Sequence, residues 1–390
     1  MAPGPGIWAD LVGQDPVVGV LRAAVTSAEA VLRGEPGSGM THAWLFTGPP
    51  GSGRSTAARA FAAALQCPRG GCGECDACHT ALAGTHADVE VVNTRTLSIG
   101  VDDARALVSR AARHPAGGRW QVQVVEDADR LTEQAGNALL KAIEEPTPRT
   151  VWLLCAPAVE DVLPTVRSRC RHLSLRTPPT DAVAEVLVRR DGVDPAMAAF
   201  AARAAQGHIG RARRLATDED ARLRRHAVLR LPLTLAELSG ALRAAGDLVD
   251  AATAEAEEQA AGQAAAEGDY MRRALGVGTG SRMPAGAAAA LKDLESEQKR
   301  RATRTKRDSL DRALTDLAGF YRDVLAVQAE ADIELVNEEM RDAVTGVARS
   351  SSPEATLRRI DAVLAARTAI EANVAPLLAV EAMTVSLRAG

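Results

Sequence analysis

The sequence predicts an α/β domain followed by all-helical regions, and three observations carry this prediction. Short apolar runs alternate with helical patterns up to about residue 178, which favours a parallel sheet covered by helices on both faces. The loop "GPPGSGRS" at 48–55 joins the first apolar run to a helix, as phosphate-binding loops do. From about residue 179, strand patterns give way to apolar residues spaced three and four apart.

The first domain is predicted to span residues 1–178. "HAWLFTG" at 42–48 is a buried strand that ends in glycine, and "STAARAFAAALQC" at 55–67 is the helix that follows the loop. The remaining strand candidates are 88–93, 121–127 and 150–156, and the remaining helices are 101–113 and 131–145.

Two helical domains are predicted to follow. Breaks at Gly and Pro separate a small helical domain at 179–222 from a larger one at 223–390. In the larger domain, the segment 253–309 predicts a long helical hairpin with a flexible tip at 276–286. The charge run from Lys299 to Arg307 has two interpretations, a solvated helix face or a contact with a partner or DNA.

The composition limits the classes of function. No stretch approaches the ~20 apolar residues of a membrane span, and "MAPGPGIWAD" lacks the pattern of a signal peptide. We therefore expect a cytoplasmic protein that contacts no membrane. The formal net charge is −4, so any nucleic-acid contact must come from a local patch. Arginine supplies 42 of the 46 basic residues, so drift from lysine to arginine can explain a single arginine.

Four of the six cysteines form one cluster with the spacing C-x4-C-x2-C-x2-C. They are Cys67, Cys72, Cys75 and Cys78, in "CPRGGCGECDAC". Four thiols within twelve residues of a cytosolic chain fit a tetrahedral zinc ion better than disulfides. An iron–sulfur cluster and a chance cluster of reduced thiols are the alternatives. Four sulfurs complete the zinc shell, so the predicted site is structural.

The glycine-rich loop departs from the phosphate-binding pattern G-x-x-x-x-G-K-[ST] at one position. Gly48, Gly53 and Ser55 match it, whereas Arg54 stands in place of lysine. Backbone N–H groups around Gly51 and at the helix N-terminus still offer donors to a phosphate. Arginine keeps the charge in a longer, planar group, so its contact with phosphate would have another geometry.

An ordered set of motifs resembles a known family. In chain order they are "LVGQDPVV" (11–18), "HAWLFTGPPGSGRS", the cysteine cluster, "VEDADRLTEQAGNALLKAIEEP" (125–146) and "LPTVRSRC" (163–170). Together they are similar to the delta-prime subunits of bacterial DNA polymerase III clamp loaders, which are AAA+ proteins. The resemblance covers 7–216 well and the C-terminal tail moderately, and nothing in the family corresponds to 253–309. It implies an AAA+ module with an inserted zinc knuckle, a helical lid and an all-helical collar.

Measured against the motor subunits of that family, this sequence departs at four places. The resemblance places Glu126 where motors have their magnesium-binding aspartate and Asp127 where they have the catalytic glutamate. The other departures are Arg54, then Ala156 and Pro157 in place of a sensor threonine, and Gly210 in place of a sensor arginine. We therefore expect no independent ATPase activity, and whether the loop still binds ATP or ADP stays open.

The intact motif "SRC" implies a role in a neighbouring subunit. In the family, the arginine equivalent to Arg169 acts in trans as an arginine finger on ATP bound next door. The resemblance further implies a hetero-pentamer with tau/gamma motor subunits and delta, which opens the sliding clamp and places it on primed DNA. The alternatives are an active tau/gamma-like ATPase and a zinc-bearing scaffold unrelated to replication.

A direct DNA contact is also considered. The helix at 101–113 brings Arg105, Arg110 and Arg113 near one edge, and clamp loaders use helices of this region to follow phosphates. Ordinary solvated arginines on an arginine-rich chain explain the same pattern.

Overall fold

The chain divides into two compact units, Met1–Thr217 and Asp218–Gly390. The computed structural model describes residues 6–92, 98–117, 119–274 and 287–389. Within these residues, no helix combines the length and the apolar character that crossing a membrane requires. The division into three domains that the sequence suggests, with the lid and collar separated near residue 222, stays a prediction.

The first unit is built on a five-stranded parallel sheet with the order β2-β3-β4-β1-β5. Its strands are β1 (Ala43–Thr47), β2 (Val89–Val92), β3 (Gln121–Val125), β4 (Thr150–Ala156) and β5 (Arg171–Ser174). β1, β3 and β4 are buried along their whole length because each lies between two other strands. β5 was not predicted; it is an edge strand of four residues in which Leu173 alone is buried.

Helices cover both faces of this sheet. In chain order the helices of this unit are α1 (Asp15–Leu32), α2 (Arg54–Gln66), α3 (Asp76–Ala83), α4 (Val101–Ala111), α5 (Glu133–Glu144), α6 (Pro164–Arg167), α7 (Thr180–Asp191), α8 (Pro195–Ala204) and α9 (Ile209–Thr217). Those from α1 to α6 contribute to the two cores on the sheet, and α7 to α9 pack on one another. Strand side chains alternate between two cores. Trp44 and Phe46 pack with α1 and α2, whereas Leu45 and Trp152 pack with α4 and α5. The predicted α/β architecture is confirmed.

A buried side chain connects the phosphate-binding loop to the segment before α7. The amide of Gln14 is 2% exposed, and its Nε2 donates to the carbonyl oxygens of Ser52 (3.2 Å) and Arg176 (2.6 Å). Its Oε1 accepts from the backbone N–H of Arg176 at 3.2 Å. One buried side chain therefore holds the loop and the segment before α7 together.

The second unit is helical throughout its described residues. Its helices are α10 (Glu219–Arg230), α11 (Leu238–Ala274), α12 (Ala287–Gln328), α13 (Arg341–Ser350), α14 (Pro353–Glu371) and α15 (Pro376–Ala389). The mostly helical C-terminal region is thus confirmed, and the predicted hairpin 253–309 falls on parts of α11 and α12. Its predicted tip at 276–286 lies outside the described residues.

Candidate nucleotide and metal sites at the two ends of α2

The loop between β1 and α2 has the backbone of a phosphate-binding loop. Gly48, Gly51 and Gly53 have φ values of 150°, 85° and 91°, of which the last two lie in the left-handed region that glycine enters without strain. α2 begins at Arg54, directly after Gly53, which offers no capping side chain. The first N–H groups of the helix therefore face the loop, as an anion site requires.

The side chain of Arg54 turns back onto this loop. Its Nη1 donates to the carbonyl oxygen of Gly48, the first residue of the loop, at 2.6 Å. Burial lowers the pKa of Arg54, and the nearby acids, Asp127 and Asp129 among them, partly oppose that shift. The guanidinium therefore stabilises the turn of its own loop, whereas the lysine of a motor subunit reaches outward to the β and γ phosphates.

The acid predicted to stand at the magnesium position is already paired. Glu126 follows β3, and its carboxylate accepts from Nε of Arg59 at 2.6 Å, with the Glu126 side chain only 12% exposed. Arg59 lies on α2, just over one turn after the loop. Nearby, burial raises the pKa of Asp129, and the charge of Asp127 raises it further. A guanidinium thus neutralises the Glu126 carboxylate.

The lid side of the loop is filled by the chain itself. A Cβ added at Gly51 would lie 2.5 Å from Cα and Cβ of His208, the residue before α9. A Cβ at Gly48 would lie 2.5 Å from the carbonyl oxygen of Leu175. Gly210 belongs to the first turn of α9, so no arginine side chain projects from this position. The loop is enclosed on both flanks by backbone of its own unit.

The opposite end of α2 carries the four predicted ligands. Cys67 follows the last residue of α2, Cys72 lies in the next turn, and Cys75 and Cys78 begin α3. All four Sγ atoms lie within 4.8 Å of one another, and the Cys67–Cys72 and Cys67–Cys75 separations are 3.6 and 3.7 Å. Sulfurs on a tetrahedron with Zn–S bonds of ~2.3 Å are about 3.8 Å apart. The cluster therefore has the dimensions that a metal ion needs.

Backbone N–H groups prepare these thiols for a cation. The N–H groups of Arg69 and Cys72 point to Sγ of Cys67 at 3.3 and 3.5 Å, and that of Glu74 points to Sγ of Cys72 at 3.5 Å. The bond from Glu74 lowers the pKa of Cys72 to about 6. Donors that stabilise the thiolate favour metal binding, because a metal takes the deprotonated sulfur.

Arg169 lies two residues after the end of α6 and contacts α5. Its Nη2 forms an ion pair with Glu144, the last residue of α5, and its Nη1 donates to the carbonyl oxygen of Thr165 at 2.8 Å. The arginine side chain is 32% exposed. α5 and α6 approach closely because position 136 is glycine, where a Cβ would lie 2.2 Å from Cδ1 of Leu163. The motifs "NALLKAIEEP" and "SRC" are therefore one structural feature.

Two of the three arginines considered for DNA are paired with acids. Arg105 is exposed and pairs with Asp102 at 3.2 Å, whereas Arg110 pairs with Glu90 at 3.4 Å. Arg113 lies beyond the end of α4, among exposed residues. A DNA contact by these residues stays a prediction.

Comparison with known proteins shows which family the first unit resembles. A family profile described as "DNA polymerase III, delta subunit" matches residues 36–179. A delta-prime subunit of Pseudomonas aeruginosa is 39% identical over 163 residues, which are 40% of this chain and 50% of that protein. Over these residues the chain is similar to subunits of the DNA polymerase III clamp loader.

Two further relatives show how far the likeness extends. The Haemophilus influenzae delta-prime subunit is 36% identical over 157 residues, 39% of this chain and 48% of that protein. The gamma/tau subunit of Mycobacterium tuberculosis is 34% identical over 190 residues, 47% of this chain and 31% of that protein. The matched residues thus span 31–50% of the length of these relatives. The likeness reaches both kinds of clamp-loader subunit, delta-prime and gamma/tau.

Four of the contacts described above were not predicted from the sequence. They involve Gln14, Arg59, Glu144 and His208. Arg59 and Glu144 belong to helices that the sequence placed correctly, but nothing in a linear pattern pairs an arginine on one element with a carboxylate on another. Gln14 lies within the motif "LVGQDPVV", but the sequence alone does not show that this residue is buried.

Proposed function

We propose that this chain is a non-catalytic, delta-prime-type subunit of the DNA polymerase III clamp loader. The observation that carries the proposal is the ion pair between Arg59 and Glu126 at the magnesium position of the loop site. Hydrolysis of ATP needs a magnesium ion, a lysine on the phosphates and an oriented water. Here an arginine neutralises the acid, Arg54 bonds its own loop, and His208 lies against Gly51.

Residual nucleotide binding is compatible with this proposal. Gly51, Gly53 and the start of α2 keep their conformation, and Ser55 keeps its place in the first turn of the helix. A nucleotide would have to displace the contact between Arg54 and Gly48 and move the segment at His208. We therefore expect at most weak binding of ATP or ADP, and no turnover by Glu126 and Asp127.

Arg169 is the residue through which we propose that the subunit acts. A guanidinium at the edge of one subunit can neutralise the charge that develops on a phosphoryl group in the next, worth ~10³–10⁵ in rate for known fingers. Its partial exposure and its anchor on the end of α5 support this role. Glu144 holds the side chain in the free subunit and releases it when a phosphate competes.

We further propose that the four cysteines hold one structural Zn²⁺. Sulfur separations near those of a zinc tetrahedron and N–H groups directed at the sulfurs support the assignment. The ion would fix the turn between α2 and α3 and the segment beneath it, where the N–H of Ile7 bonds the carbonyl oxygen of Gly71. Four thiolates leave no open position, so the proposed role is structural.

The partners follow from the family. We propose that the chain assembles in the cytoplasm with tau/gamma motor subunits and delta into a hetero-pentamer. That assembly loads the sliding clamp onto primed DNA, and the all-helical region 223–390 serves as its collar. The relatives named delta-prime support this assignment.

One experiment separates this function from the alternative, an active tau/gamma-like ATPase, which the 34% identity to a gamma/tau subunit supports. ATP binding and steady-state hydrolysis are measured on the purified chain, alone and with motor subunits, clamp and primed DNA. We expect no turnover by the chain alone and a DNA-stimulated ATPase only in the assembly. Turnover by the chain alone at the rate of a motor subunit would establish the alternative instead.

A further inference from the structure

One face of α12 changes its chemistry along the helix. In the C-terminal half of α12, two rows of residues with a spacing of seven are buried in the helical core. One row consists of Leu310, Leu317 and Val324, and the other of Ala313 and Phe320. The same two rows continue toward the start of α12. There they consist of Lys292, Ser296, Lys299, Thr303 and Lys306, which we call the lysine seam. A face that is apolar where it is buried thus becomes basic and hydroxylated where it is exposed.

The seam is open to solvent. Lys292, Ser296, Lys299 and Thr303 are exposed, and Lys306 is half-buried. The neighbouring helix α11 contacts another side of α12. Arg301 pairs with Glu267 of α11 at 2.7 Å, and Arg312 pairs with Glu255 of α11 at 3.1 Å. These two ion pairs neutralise these two acids of α11. The lysine seam lies on a different face of α12 from the arginines that form them.

The use of lysine here is specific. The chain has four lysines among 46 basic residues, and three of the four stand at consecutive seven-residue intervals on this one face. A bias toward arginine would not retain lysine at three such positions. Seven residues of α-helix rise about 10.5 Å, which is close to three base-pair steps of duplex DNA at 3.4 Å each.

The composition of the seam favours a phosphate backbone over a protein partner. Protein interfaces have apolar and aromatic centres and are depleted in lysine, whereas the seam contains lysine and hydroxyl side chains only. Lys, Ser and Thr are among the side chains that contact phosphate oxygens in DNA complexes. Arg300, exposed beside Lys299, adds charge of the same sign to the flank.

We propose that the lysine seam of α12 binds the phosphate backbone of duplex DNA without reading its sequence. The site lies in the second unit and is independent of the loop, of Arg169 and of the cysteine cluster. Because the whole chain carries a formal charge of −4, DNA binding at low salt would report this local patch and not a general attraction.

The test is fluorescence anisotropy of a labelled 25-base-pair duplex with the full-length chain, titrated at salt concentrations from 50 to 200 mM. The test variant carries Lys292→Gln, Lys299→Gln and Lys306→Gln. The control removes the same charge from exposed arginines of the same unit, with Arg230→Gln, Arg243→Gln and Arg349→Gln. We expect at least about tenfold weaker binding by the test variant at 50 mM salt, and a log–log salt slope that is smaller by about 2–3. The control should bind as the wild type does.

Several results would overturn the proposal. They are a wild-type chain that does not bind the duplex at 50 mM salt, a test variant that matches the control, and a salt slope that the three substitutions leave unchanged. Poly-glutamate is titrated in parallel. If the three substitutions abolish poly-glutamate binding and leave duplex binding intact, the seam serves an acidic protein instead. Circular dichroism of both variants checks that the helices are retained.

Discussion

Glycine-containing turns lie at both ends of α2, but the side chains that these turns bring together are different. At its N-terminal end, Gly51 and Gly53 turn the chain so that N–H groups face the loop, and groups of the same unit fill the space there. At its C-terminal end, Gly71 and Gly73 turn the chain so that four sulfurs face one point. One end satisfies its polar groups internally, whereas the other gathers ligands that need a cation.

The difference shows that a binding motif is defined by what its donors and acceptors contact, and not by its backbone alone. The loop keeps the glycines of a nucleotide site while Arg54 and Arg59 supply internal counter-charges. Two of the four clustered thiols are buried, and without a metal, weak hydrogen bonds would be the only compensation for that burial. We therefore expect the C-terminal end to respond strongly to a ligand and the N-terminal end to respond weakly.

The largest effect is expected at the cysteine end. Cys75→Ser should lower the metal content from one zinc per chain to nearly none, with at least about 100-fold weaker affinity, beyond the 10–100-fold of an outer-shell change. Metal analysis of protein purified under reducing conditions measures it, and hydrogen exchange should show faster amides at 67–84. Acidification should release the ion too, since thiolates must take up protons.

Cys170→Ser is the matched control for the metal measurement, because this half-buried thiol lies outside the cluster and bonds the carbonyl oxygen of Val166. It should keep the full zinc content. If wild-type protein contains no stoichiometric metal, the assignment of the cluster as a zinc site is wrong.

The next largest effect is expected for Arg169. Because the loop site is closed, the proposed contribution of this subunit to ATP hydrolysis comes from an arginine at its edge. Arg169→Ala should leave folding and assembly intact and lower the DNA-stimulated ATPase of the reconstituted loader by about three- to tenfold. The loss is partial because fingers at other junctions remain, although a single junction can lose ~10³-fold or more. Arg169→Lys should rescue poorly, because lysine lacks the planar fork.

Arg167→Ala serves as the control for Arg169, because Arg167 is the last residue of α6 and lies two residues before Arg169. If a loader with Arg169→Ala assembles and hydrolyses ATP at the wild-type rate, Arg169 is not an arginine finger and this subunit has only a structural role.

A smaller effect is expected from Glu144→Gln, which weakens the hold on Arg169. A half-exposed ion pair contributes up to about 1 kcal/mol, so the gain in loader ATPase at subsaturating ATP should not exceed about fivefold. Steady-state rates at several ATP concentrations measure it. The double variant Glu144→Gln with Arg169→Ala should behave like Arg169→Ala alone. Additive effects in that pair would show that Glu144 acts elsewhere.

The smallest effect is expected at the loop. Arg54→Lys should give no measurable ATPase in the isolated chain, because Glu126 stays paired with Arg59 and His208 stays against Gly51. A sensitive phosphate-release assay measures it, with a motor subunit as the positive control. Motor-like turnover from this one substitution would show that the loop is open to nucleotide after all.

Most of the fold could be predicted from local patterns. Buried strands such as β4 and the helices after them have strong periodicities, so their ends fell within about two residues of prediction. β5 was missed because its sequence, "RHLS", has one apolar residue and gains its place by pairing with β1. Such a strand is determined by its neighbour and not by its own composition.

The two candidate sites also differ in how far local sequence patterns predict them. The cysteines could be assigned because their spacing alone brings the sulfurs together, and the structure confirms that they converge. The state of the loop could not be predicted as directly, because Arg59 pairs with Glu126 far along the chain, His208 is distant from the loop in sequence, and neither contact carries a motif. Contacts between elements far apart in the chain require the packed structure.

The buried amide of Gln14 has a consequence for motion. Swinging the lid away at residue 176 would break hydrogen bonds on a group that water scarcely reaches, costing about 1–3 kcal/mol for each polar group left without a partner. Two such losses make the swung-out form rarer than the closed form by a factor of roughly thirty or more. The segment that leads into α7 therefore stays against the phosphate-binding loop in nearly all molecules.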